Sequence, residues 1–125
     1  MQINSAKDLI VYQKAYSLAM DIYGISKNWP PEEKFSLIDQ IRRSSRSVCT
    51  NLREAWAKRR YEAHFISKLS DADAENGETD TWLDFARDCG YLSSDDHTHL
   101  VGKCSEIGAM IGSMIGNCKS FLLKD

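Results

Sequence analysis

Apolar residues recur along most of this chain at intervals of three and four, the period of an α-helix, with polar residues filling the positions between. The clearest run is Ile38, Ile41, Ser45, Val48, Leu52 and Ala55, which step by 3, 4, 3, 4, 3. That is a heptad-like seam, the packing edge of a bundle, and it predicts a helix over 32–58. Phe65, Leu69, Ala72, Asn76, Thr79, Leu83 and Ala86 share one face of a helix over 62–89, which Cys89-Gly90 should stop. Ser93 or Ser94 followed by Asp95-Asp96 opens a helix over 95–122, whose face carries Leu100, Cys104, Ile107, Ile111, Met114, Cys118 and Phe121. At the front, Leu9, Tyr12, Tyr16, Ala19 and Tyr23, with Ala15, Leu18 and Ile22 beside them, predict a helix over 8–27. "KNWPPEEK" ends it, because Pro30 restrains the residue before it and Pro31-Glu32-Glu33 suits a new first turn. The chain must reverse near Lys58 to Tyr61, where no Gly or Pro marks the place. Four helices on short connections, with no alternating strand pattern, give an all-α, up-and-down antiparallel four-helix bundle in one domain over 1–125.

Composition agrees with a globular chain. Of 125 residues 42 % are apolar and only two are proline. The formal net charge is −2, so no whole-molecule field draws the protein to nucleic acid or an anionic membrane, and any such role needs a local patch. Lys7, Asp8 and Lys14 interrupt the start of the chain where a signal peptide would be apolar, so a cytoplasmic location is expected. Cys49, Cys89, Cys104 and Cys118 include no Cys-x-x-Cys pair and read as reduced core thiols.

Local patches do exist. Asp39 to Arg60 holds seven basic side chains: Arg42, Arg43, Arg46, Arg53, Lys58, Arg59 and Arg60. Arg42, Arg46, Arg53 and Arg60 fall within about 40° of one another, roughly 100° round from the seam. On the next helix Glu62, Asp73, Asp80 and Asp84 form an acidic stripe displaced in the same rotational sense. Between antiparallel neighbours two such stripes either face each other or both face away. The first case gives ion pairs within the chain, and the second leaves unlike strips outside, as a repeating subunit contact would use. Residues 32–60 hold 8 basic and 4 acidic side chains, and residues 61–90 hold 2 basic and 8 acidic. This balance favours acidic partners for the arginines, in the same chain or in a neighbouring copy, over nonspecific phosphate contacts through the seven basic residues.

Other constellations carry little chemistry. No Gly-x-Ser-x-Gly elbow, Walker A loop or dinucleotide fingerprint occurs, and the Glu-x-x-His pairs of di-iron bundles are missing. His97 and His99 diverge by about 200° on a helix, which argues against a metal pair. The expectation is a non-enzyme with no cofactor and no metal. Gly108, Gly112 and Gly116 form a small-residue ladder, but only twelve uncharged residues separate Glu106 from Lys119, too few to span a bilayer. The ladder is therefore expected to let another backbone approach closely, within the bundle or at a subunit contact.

"DLIVYQKAYSLAMDIY", "LIDQIRRSSRSVCTNLREAWAKRR" and "ETDTWLDFARDCGYL" together resemble the bacterial four-helix bundle family of 23S rRNA intervening-sequence proteins. Gln40, Arg42-Arg43, Ser47, Asn51 and Glu54 match its Gln-x-Arg-Arg…Ser…Asn-x-x-Glu pattern, supported by Asp8-Leu9, Gln13-Lys14, Glu78, Leu83 and Gly90-Tyr91-Leu92. Asn51-Leu52-Arg53-Glu54-Ala55 lacks the glycine of the family's Asn-Ile-Ala-Glu-Gly, and Asp71-Ala72-Asp73-Ala74-Glu75 is more acidic than the family's usual segment. The resemblance implies a small helical subunit that assembles with itself, usually into a homopentameric ring, with no established catalysis. Some members are encoded within sequences that interrupt 23S rRNA genes, and related proteins accompany the reverse transcriptases of retroelements. An RNA or nucleoprotein partner is the implied alternative.

Overall fold

The computed structural model describes residues 2–124. Among them are four α-helices and no strand: α1 Ile10–Ser26, α2 Leu37–Ala57, α3 Glu62–Asp88 and α4 Ser94–Gly116. α1 packs on α2, α2 on α3, α3 on α4 and α4 back on α1, which makes a square, up-and-down bundle.

The seams read from the sequence form the core. All six seam positions of α2 and all seven of α3 are buried, and Ile22, Ile41, Phe65, Leu69, Leu83, Ile107 and Ile111 lose essentially all contact with solvent. Burial of one such side chain stabilises by about 1.5–3 kcal/mol. Three buried polar residues tie the helices inside this apolar core. The Ser44 and Thr79 hydroxyls lie 2.8 Å apart across α2 and α3, and the Asn76 amide donates to the Cys104 carbonyl of α4 at 2.8 Å.

The helix ends differ from the periodic reading in three places. Asp8 closes a capping box with Ser5 on a short 3-10 turn, Ala6–Asp8, and Leu9 is extended, so α1 starts at Ile10. Pro31 begins a single 3-10 turn, Pro31–Glu33. The Ser36 hydroxyl donates to the Glu33 carboxylate at 2.5 Å, and α2 begins only at Leu37. α4 stops at Gly116, and Cys118–Phe121 form a separate 3-10 turn. The end of α3 follows its glycine: Gly90 has φ 82°, the Tyr91 N–H reaches the Ala86 carbonyl and the Gly90 N–H that of Arg87. This is a Schellman closure, and only glycine takes that backbone without strain.

Two expectations about the core need correction. The buried face of α1 is Val11, Ala15, Leu18, Ala19, Ile22 and Ser26, while Tyr12 and Tyr23 are half-buried and Tyr16 is 55 % exposed. Tyrosine counts as apolar in a periodicity, yet its hydroxyl favours the rim. Cys49, Cys104 and Cys118 are buried free thiols, but Cys89 is exposed at the end of α3. Burial pushes Cys49 up to about 11 and Cys104 up to about 12, so neither is a thiolate at neutral pH. Among the described residues no helix is long and apolar enough to cross a membrane.

Candidate functional site

The basic residues of α2 divide into those held within the chain and those left on its surface. Arg43 is held: its guanidinium reaches Glu75 at 3.1 Å and Glu78 at 2.5 Å, with Gln40 accepting from its Nε. Trp82 Nε1 donates to the same Glu78 carboxylate at 3.2 Å. Arg43 and Trp82 together hold Glu78 below the usual carboxylate range, the arginine contributing most. Two to three turns further along the same contact, Lys68 meets Glu54 at 2.7 Å and the Asn51 side-chain oxygen at 3.4 Å, while the Asn51 amide donates to the Ser47 carbonyl. Three residues of the Gln-x-Arg-Arg…Ser…Asn-x-x-Glu pattern, Arg43, Asn51 and Glu54, therefore tie α2 to α3, while Gln40 and Ser47 bond to two of them within α2. Glu75 and Glu78 answer Arg43, rather than the four acids expected.

The arginine stripe turns the other way, toward α1. Arg42 donates through Nε to the Ser26 hydroxyl at 2.9 Å and through Nη2 to the Tyr23 carbonyl at 3.3 Å, at the negative end of the α1 dipole. Its guanidinium lies 4.7 Å from the Tyr23 ring centre, and that of Arg46 lies 5.8 Å from it. Tyr12 and Tyr16, two to three turns before Tyr23 on α1, stack on each other with ring centres 6.3 Å apart. Arg59 folds back on its own helix, 3.6 Å above the Trp56 ring, and donates to the Trp56 carbonyl at 2.7 Å. Partial burial lowers its pKa. Among the described residues Arg46, Arg53, Lys58 and Arg60 make no ion pair.

The acidic stripe of α3 turns toward α4. His97 Nε2 lies 2.7 Å from Asp84, Arg87 Nη1 stands 3.4 Å from the same nitrogen, and Glu62 accepts from the Cys118 thiol at 3.1 Å. Asp73 and Asp80 have no ion-pair partner among the described residues. Burial, then the charge of Asp84, raises the Asp80 pKa. Of the two arrangements open to the stripes the second holds: among the described residues no ion pair joins this stripe to the arginines, and both stripes face away from the α2 and α3 contact. The glycine ladder also divides. Gly108 meets α3, with the Asn76 amide 3.4 Å and the Asp73 carboxylate 3.7 Å from where a Cβ would stand, whereas Gly112 and Gly116 face open space. Close packing within the bundle is thus confined to Gly108.

These placements leave two opposed surfaces. The α1 and α2 side carries Tyr12, Tyr16, Tyr23, Arg42, Arg46, Arg53 and Arg60. The α3 and α4 side carries Glu62, Asp73, Asp80 and Asp84 beside Gly112 and Gly116. The tyrosines were the part of this surface that periodicity hid, since their 12, 16, 23 spacing also fits a core. Among the described residues no group of three or more His, Cys, Asp or Glu side chains is placed to hold a metal.

Residues 7–113 match the family described as 23S rRNA-intervening sequence protein. The chain belongs to the 23S rRNA-intervening sequence protein family. A solved structure from Bacteroides thetaiotaomicron, a protein with unknown function from the S23 ribosomal protein family, is 30 % identical and superimposes with a TM-score of 0.78. The match covers 86 % of this chain and 96 % of that one. No curated protein sequence matches. The 23S rRNA-intervening sequence family membership and the neighbour's fold agree with the four-helix bundle, and neither brings a catalytic family with it.

Proposed function

We propose that this chain is a non-catalytic, self-assembling helical scaffold or adaptor whose copies close into a ring, as the family resemblance implies for a homopentamer. The observation that carries the reading is charge that makes no ion pair among the described residues: Arg46, Arg53 and Arg60 on one side of the bundle, Asp73 and Asp80 on the other. Exposed ion pairs contribute only about 0–1 kcal/mol each to a fold, so such stripes act through orientation and register. The test is absolute mass by light scattering at low and high salt, with and without a short structured RNA. A finite multimer whose mass ignores RNA is expected. A monomer under all these conditions overturns the reading.

One observation favours a second reading, phosphate contact with an RNA or nucleoprotein partner. A hollow of about 610 Å³ on the outer side of α2 is lined by Lys34, Arg42, Arg43 and Arg46 together with one acid, Asp39, and with Phe35, which stands 86 % exposed. An aromatic ring beside basic side chains suits a single-stranded nucleic acid. On this reading a shift in mass appears only with RNA and fades steeply as salt is added. Arg43 and Arg59 would contribute least, since both are already engaged within the chain.

A further inference from the structure

Resting on that self-assembly reading, we propose that the contact is head to tail: the tyrosine and arginine face of α1 and α2 on one copy docks on the acidic, glycine-lined face of α3 and α4 on the next. The two faces lie on opposite sides of the square, since α1 and α2 form one edge and α3 and α4 the edge across from it. A two-fold contact through either face would set arginine against arginine or aspartate against aspartate. Only an unlike pairing satisfies both surfaces at once.

Level matches as well as sign. α2 and α3 run in opposite directions, so Arg42 to Arg53 and Asp84 to Glu62 ascend the bundle together. At 1.5 Å per residue the arginines of α2 span about 17 Å, within the roughly 33 Å of the acidic stripe. Relief is complementary too. Tyr16 stands 55 % exposed on the basic face, while Gly112 and Gly116 leave open space on the acidic one. An aromatic side chain can lie on a glycine surface where any larger residue would hold it off. Each mid-helix glycine costs roughly 0.5–1 kcal/mol relative to alanine, and no packing inside the bundle offsets that cost at Gly112. Asp73 and Asp80, which have no ion-pair partner among the described residues, supply the carboxylates that a guanidinium from outside would satisfy. Repeated unlike contacts close into a ring when each step turns the next copy, and grow open-ended when it does not.

The test uses two full-length variants. Arg46→Glu with Arg53→Glu disables the basic face, and Asp73→Lys with Gly112→Arg disables the acidic face. Each alone is expected to fall to the 14.2 kDa single chain. Mixed in equal amounts they should form a species of two chains and no larger, because one intact face of each kind remains. A mixture that stays monomeric, or either variant keeping the wild-type mass, overturns the face assignment. A wild-type chain that is monomeric throughout removes the assembly reading itself, so the two failures are distinguishable. Far-UV circular dichroism checks that the helices persist. Should a double variant lose them, the single changes Arg53→Glu and Gly112→Arg, both at exposed positions, take its place.

Discussion

Arg43 lies between the carboxylates of Glu75 and Glu78, half in solvent, and joins α2 to α3 near the buried Ser44 and Thr79 contact. Its worth is limited by that exposure: replacing it by alanine should destabilise by about 1 kcal/mol or less at neutral pH. The sign of the pH dependence follows from Glu78. Its carboxyl titrates below the ordinary value of 4.5, chiefly through the Arg43 hydrogen bond, so the folded state binds that proton less readily than the unfolded chain. The stabilisation is therefore complete above about pH 4.5 and disappears as the pH falls through the lowered value. Chemical denaturation across pH 3 to 7 should show the wild type losing stability toward acid more steeply than Arg43→Ala, the two curves converging at the acid end. Parallel curves would mean that the ion pair does not form in solution.

On α4 the three glycines make different demands, although they share a helical spacing. Gly112→Ala places its methyl in open space, and the gain in helix propensity should stabilise the monomeric bundle by about 0.5–1 kcal/mol. Gly108→Ala brings a methyl to within 3.4 Å of the Asn76 amide that bonds the Cys104 carbonyl, so part of that gain should be lost. Thermal melts in the Arg46→Glu, Arg53→Glu background, free of assembly, measure both, and equal shifts would refute the distinction. The sequence shows the ladder without showing this difference, because spacing does not reveal which neighbour stands above each position. The same limit governs the stripes. Period alone places Arg42, Arg46, Arg53 and Arg60 beside the seam of α2, and Glu62, Asp73, Asp80 and Asp84 beside that of α3. Whether those flanks meet depends on which way the square is wound, and a helical pattern is identical for both windings. The seams themselves are legible because burial acts on every turn, so Phe65 to Ala86 can be read from spacing. The start of α2 is less so, since Pro31 begins a turn that Ser36 then breaks.

As a whole molecule the chain is close to neutral, with a net charge of −2, yet its charge is sorted to opposite sides. Such a molecule has no long-range attraction for a uniformly charged partner but has one for a copy of itself in the correct orientation. Assembly would then stabilise the folded state by mass action, because only the folded bundle presents both faces. The unfolding midpoint should rise with chain concentration at low salt. The rise should shrink as added salt shortens the screening length to about 8 Å near physiological ionic strength. Arg46→Glu with Arg53→Glu should remove the concentration dependence and lower the midpoint at high dilution only slightly, since among the described residues neither arginine makes an ion pair and Arg46 gives up only its 5.8 Å contact with the Tyr23 ring. Phosphate binding makes a different forecast: without RNA the wild-type midpoint is flat with concentration, and it rises only when RNA is supplied. A dilution series read by scanning fluorimetry separates the two, and a midpoint that never moves with concentration would leave the sorted charges without a role in assembly.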